Sequence, residues 1–130
     1  MINRLVKWWH RAGPWVRAMR FYRNSEYDRF FITVGELEKL TPLTPYQLAV
    51  KGNALLLNGK YKEALSVFTI LSSNSNDKSN DTKYVAAYSR AMIADINGKS
   101  DEFDSISQAA VRIPAKRILK RNLPLPRTSG

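Results

Sequence analysis

The chain has 130 residues, a formal charge of +10, 44% apolar and 25% charged side chains, and no cysteine. That length is about one domain, able to bury roughly two thirds of its unfolded surface. The missing thiols exclude a disulfide framework, a thiolate zinc site and a cysteine nucleophile, and the composition is globular rather than disordered.

In chain order, residues 2–12 place Ile2, Leu5, Val6, Trp8, Trp9 and Ala12 on one helical face and Arg4, Lys7, His10 and Arg11 on the other. Gly13-Pro14 predicts a break or kink, after which Trp15, Val16, Met19 and Tyr22 carry the apolar stripe to about Arg23. In "NSEYD", Asn24 or Ser25 is expected to cap a helix whose buried face is Phe30, Phe31, Val34, Leu37 and Leu40. "TPLTP" ends it, because residues before proline avoid the helical region, and Thr44-Pro45 restarts a helix.

From Pro45 to Asn58 the pattern is helical, with Gly59 as a left-handed cap; a further helix spans about Tyr61 to Ser72. The polar run 72–81 reads as a loop, with Asp81 or Thr82 capping the next helix, which stops at Asn97-Gly98. Ser100 is expected to cap the helix after it, where Asp101 and Glu102 complement the positive end. Pro114 interrupts, a short basic helix fits 115–121, and "NLPLPRTSG" reads as a tail without structure of its own.

The charge is uneven. Residues 1–25 hold six basic side chains and no acid, and residues 112–130 hold six more with no acid; the stretch between has nine basic and eleven acidic. A near-neutral body with two basic ends points to something anionic: phospholipid, nucleic acid or an acidic protein surface. No run is long and apolar enough for a membrane span, and Lys7, His10 and Arg11 interrupt any secretory apolar region. The expected place is the cytoplasm, peripheral to a membrane; an organelle transit peptide is the lesser alternative for so arginine-rich a start.

Asn58-Gly59-Lys60 returns as Asn97-Gly98-Lys99. "GKS" at 98–100 echoes a phosphate-binding loop, but Ile93 stands where that motif needs a glycine, and a helix precedes it rather than a strand. Both copies fit a helix stop followed at once by a helix start, the corner of an antiparallel pair. Leu48, Gly52, Ala54, Leu55, Gly59, Tyr61, Ala64 and Phe68 follow the large-and-small pattern of the tetratricopeptide repeat, which residues 45–72 resemble. Residues 83–113 resemble it more loosely, through Ala87, Ala91 and Ala94, with Phe103 and Ser107 replacing the expected alanine and phenylalanine. The copies lie 39 residues apart, against a family period of about 34.

The resemblance implies an all-α stack of antiparallel helix pairs, an α-α superhelix, with helices at 2–23 and 26–40 packed on as extra layers. The expected organisation is a basic, tryptophan-rich amphipathic segment over 1–24, a helical domain over 25–113 and a basic, proline-containing tail over 114–130. Some members of the family hold a peptide carboxylate; here only Asn53 matches that set, and Ala49 stands in place of its lysine. A groove of Tyr46, Asn53, Leu56, Tyr88 and Met92 is instead expected to take an apolar helix or extended peptide.

His10 is the only histidine and has no second ligand at helical spacing, so neither a metal nor a cofactor is expected. Asp101, Glu102 and Asp104 read as helix-start charges, and no hydrolase, zinc-protease or calcium-loop motif occurs, so no enzyme is expected. Arg4, Lys7, Trp8, Trp9, Arg11, Trp15, Arg17 and Arg20, with Lys116, Arg117, Lys120 and Arg121, form the expected anionic-surface contact: indoles suit a bilayer interface and cations its headgroups. The function expected is that of a non-catalytic adaptor or assembly subunit, a protein partner in its groove and its basic ends on an anionic surface. The alternative is a nucleic-acid-associated protein.

Overall fold

The computed structural model describes residues 2–73 and 79–126, with side chains from Gly13 onward. Among the described residues the regular structure is entirely helical: α1 (Ile2–Arg23), α2 (Tyr27–Leu40), α3 (Pro45–Leu57), α4 (Tyr61–Ser72), α5 (Asn80–Ile96), α6 (Ser100–Ala110) and α7 (Arg117–Asn122). Neighbouring helices pack in pairs, α1 on α2, α3 on α4 and α5 on α6. The chain divides at Thr44–Pro45 into two compact units, so α2 groups with the basic N-terminal helix and not with the helices after it.

In the first unit α1 runs unbroken through Gly13-Pro14, where a break or kink was expected. An internal proline removes a helical hydrogen bond and costs about 3 kcal/mol in a free helix. Here Pro14 is buried, as are Ala18 and Met19 further along α1, so packing offsets that cost. α2 contributes Phe30, Val34 and Leu37, and the Tyr22 ring lies 5.6 Å from that of Phe30. Leu40, expected in the buried face, is exposed because it sits in the last position of α2.

The second unit is built on close approach. A β-carbon on Gly52 would stand 2.8 Å from Cζ of Phe68, so only glycine lets α3 meet α4 there. Val50, Ala54, Leu55, Ala64, Phe68 and Leu71 complete that pair; Tyr84, Val85, Ala87, Ala91 and Ala94 of α5 pack beyond it, with Ala110 of α6. Tyr61, expected among these core residues, is 58% exposed at the first position of α4.

One corner occurs three times. After α3, Gly59 has φ +79° and donates to the Leu56 carbonyl at 3.1 Å, while Lys60 donates back to Leu55 at 2.8 Å. After α5, Gly98 has φ +73° and donates to Asp95 at 3.1 Å, and Lys99 to Ala94 at 2.9 Å. After α1, Ser25 has φ +60°, donating to Tyr22 at 3.1 Å, and Glu26 donates to Phe21 at 2.8 Å. This is the left-handed helix terminator that satisfies the last carbonyls of a helix. The residue that follows opens the next helix with nearly the same angles each time: φ −89°, ψ 71° at Glu26, −91°, 68° at Lys60 and −94°, 77° at Lys99.

Asn24 precedes the first corner, Asn58 the second and Asn97 the third, at spacings of 34 and 39 residues. The same spacings carry Gly52 to Ala18 and Ala91, and Leu71 to Leu37 and Ala110, all of them buried.

The helix starts differ from expectation. Neither Asn24 nor Ser25 caps α2, because Ser25 takes the left-handed position and Glu26 begins the helix. Lys99, not Ser100, precedes α6. Ser79 caps α5, its hydroxyl accepting from the Thr82 amide at 3.2 Å, which leaves Asp81 free to turn toward the C-terminal segment.

Candidate interaction surfaces

Of the five residues expected to line a groove, Asn53, Tyr88 and Met92 are buried and Tyr46 and Leu56 are half-buried. Tyr88 of α5 donates its hydroxyl to Oδ1 of Asn53 on α3 at 2.7 Å, and both residues are buried. Met92 is buried one turn further along α5; Leu56 is half-buried. Tyr46 is half-buried as well, its hydroxyl accepting from Nδ2 of Asn122 at 2.6 Å. Asn53, the residue matched to the carboxylate-binding set, thus has its acceptor turned inward to a tyrosine.

The partner of Tyr46 belongs to the segment expected to be a structureless tail. Residues 116–126 instead dock across the first turns of α3 and α5. Leu119, Leu123 and Leu125 are buried, and the Tyr84 hydroxyl donates to the Leu123 carbonyl at 2.7 Å. The Lys116 amide donates to Oδ1 of Asp81 at 3.0 Å, and its ammonium pairs with the same carboxylate at 3.8 Å. The three leucines supply the reason: the spacing Leu119, Leu123, Leu125 puts apolar groups on one side of a helix turn and of the extended chain after it, and burying each stabilises by about 2 kcal/mol. Composition, dominated by lysine, arginine and proline, hid that pattern.

Burial also acts on Tyr84 itself. Only 1% exposed, its phenol is pushed up to about 12 from the ordinary value of 10.0, because an anion there would lose its hydration. The Lys120 ammonium lies 5.7 Å from the centre of the same ring while donating to the Val111 carbonyl at 3.0 Å.

The expected anionic-surface residues therefore divide. Arg4, Lys7, Trp8, Trp9 and Arg11 lie outside the described side chains. Trp15 is half-buried; Arg20 is exposed, and so is Arg17, which pairs with Glu36 at 3.5 Å. Lys120 is half-buried and donates to the Val111 carbonyl; Lys116 is exposed but pairs with Asp81, while Arg117 and Arg121 are exposed on α7. Arg112, just after α6 and also exposed, joins them.

No protein-family model, curated protein or solved structure matches this chain. Its geometry has to carry the functional reading. No three histidine, cysteine or acidic side chains among the described residues are placed to hold a metal ion together, and none of their helices is long and apolar enough to cross a membrane. Large apolar side chains are nonetheless exposed: Leu57 and Tyr61 on either side of the Gly59 corner, and Ile70 on α4. Single exposed apolar groups are ordinary, but two flanking one tight corner form a local patch.

Proposed function

We propose that this chain is a non-catalytic interaction protein of tetratricopeptide-like build, an adaptor or accessory subunit that holds a protein partner and rests its basic ends on an anionic membrane surface. The observation that carries the reading is the corner repeated at Ser25, Gly59 and Gly98, which supports three helical hairpins of one design where two were expected. Repeated hairpins leave each outer face to be covered by a neighbour or a partner, and about three are the usual minimum for a stable array.

The protein contact is assigned to Leu57 and Tyr61 in place of the groove, since Asn53 and Tyr88 satisfy each other. The test is purification of the tagged full chain from its native cells, with and without mild detergent, beside a Leu57→Glu/Tyr61→Glu variant. A stoichiometric partner retained by the natural chain and lost by the variant is the expected result. A chain that elutes alone under both conditions removes the adaptor reading. A nucleic-acid-associated role is the second reading, favoured by the exposed arginines at 112, 117 and 121, and co-purifying material destroyed by nuclease would establish it.

A further inference from the structure

We propose that the exposed face of α7, made by Arg117 and Arg121 with Arg112 nearby and Ile118 at one edge, is the seat on an anionic bilayer surface. The proposal rests on the membrane-surface reading above and narrows it to three guanidinium groups.

By sequence the C-terminal cations are equivalent, and the fold makes them unequal. Lys120 is held by the Val111 carbonyl over the Tyr84 ring, and Lys116, its side chain 75% exposed, lies 3.8 Å from the Asp81 carboxylate. Arg112, Arg117 and Arg121 are exposed, and none of their guanidinium groups has a partner among the described residues. Arg117 and Arg121 stand one turn apart on the same side of α7. Leu119 and Leu123 anchor the opposite side. The bond from Lys120 to Val111 draws α7 against the residue just before Arg112, which brings the third cation to the same end of the unit.

Three buried leucines and the Tyr84–Leu123 bond fix the backbone of this segment, so the freedom left to be lost on binding is mainly that of the arginine side chains. Residues 112–126 carry no acidic side chain, and the Asp81 carboxylate that reaches the segment pairs with Lys116.

Charge complementarity demands an anionic occupant. Ile118, 44% exposed beside the arginines, favours lipid. In a bilayer the apolar layer lies directly beneath the phosphates, so an isoleucine flanked by cations can enter it. A nucleic-acid backbone gives that side chain nothing to bury, and residues 111–126 hold no aromatic ring for base stacking.

The experiment is salt-titrated sedimentation of the full chain with vesicles of phosphatidylcholine, with and without phosphatidylserine, alongside a single-stranded RNA oligonucleotide. The natural chain should bind only the phosphatidylserine vesicles. The variant Arg112→Gln/Arg117→Gln/Arg121→Gln should lose about fivefold in partitioning per arginine removed, with an unchanged melting temperature. Ile118→Ser should weaken the binding that survives at high salt. Equal vesicle binding by the natural chain and the triple variant would overturn α7 as the seat and leave the membrane reading standing. No binding to phosphatidylserine vesicles would remove both. Tighter binding to RNA than to vesicles, lost in the same triple variant, would replace the lipid with a phosphate backbone.

Discussion

The Tyr88 hydroxyl and the Asn53 side-chain oxygen meet at 2.7 Å between α5 and α3, both out of solvent. This bond joins the first helices of two successive hairpins, and it turns an expected ligand contact into an internal one. Tyr88→Phe leaves the Asn53 oxygen buried without that donor and should cost about 1–3 kcal/mol. Denaturant melts of Tyr88→Phe, Asn53→Ala and the double variant form a cycle. Additive losses would show that the two side chains do not act on each other.

The first corner uses serine where the other two use glycine. A side chain in the left-handed region costs about 1 kcal/mol, and Ser25 is exposed with φ +60°. Ser25→Gly should therefore stabilise the chain by about 0.5–1 kcal/mol, whereas Gly59→Ala, at φ +79°, should destabilise it by about 1 kcal/mol. Thermal melts of the two variants should shift in opposite directions.

Gly52→Ala sets two effects against each other. Alanine gains about 1 kcal/mol of helix propensity over glycine. Its methyl would sit 2.8 Å from a Phe68 ring that is itself fully buried and hemmed in. Overpacking of that kind costs about 1–3 kcal/mol, so the net outcome is destabilisation, read as a lower denaturant midpoint. A rise in the midpoint would mean that α4 can retreat.

Ser107 is fully buried on α6, and its hydroxyl has no hydrogen-bond partner among the described residues. Thirty-nine residues earlier stands Phe68, the aromatic anchor of the preceding pair. Ser107→Ala removes an unsatisfied polar atom, whose burial costs about 1–3 kcal/mol. The variant should melt at higher temperature.

Tyr84 gives the chain an alkaline limit. Its phenol ionises at about 12 in the fold against 10.0 in the open chain. Below pH 10 both states keep the proton and this contribution is intact; from there to about pH 12 only the unfolded chain releases it, so stability falls as pH rises. The slope from this group is at most about 1.4 kcal/mol per pH unit. Absorbance at the phenolate band should show a late-titrating component in the natural chain that shrinks by one tyrosine in Tyr84→Phe.

Apolar spacing and turn chemistry in the sequence determined that the chain is helical and where most helices stop, because those signals act between residues a few positions apart. Gly59, Gly98 and "TPLTP" each act through their own backbone angles, and the close pairing of α3 with α4 was readable in Gly52 and Phe68. The corner at Ser25 was not legible because serine lacks the glycine signal, although Asn24 stands 34 residues before Asn58.

Tertiary structure alone decided which polar groups are free. Asn53 faces Tyr88, Asn122 reaches Tyr46 across 76 positions, and Lys120 turns inward while Arg117 and Arg121 remain in water. A hydrogen bond depends on where two remote segments come to rest. No local pattern in residues 116–126 records that the leucines beside those cations find a surface to bury against.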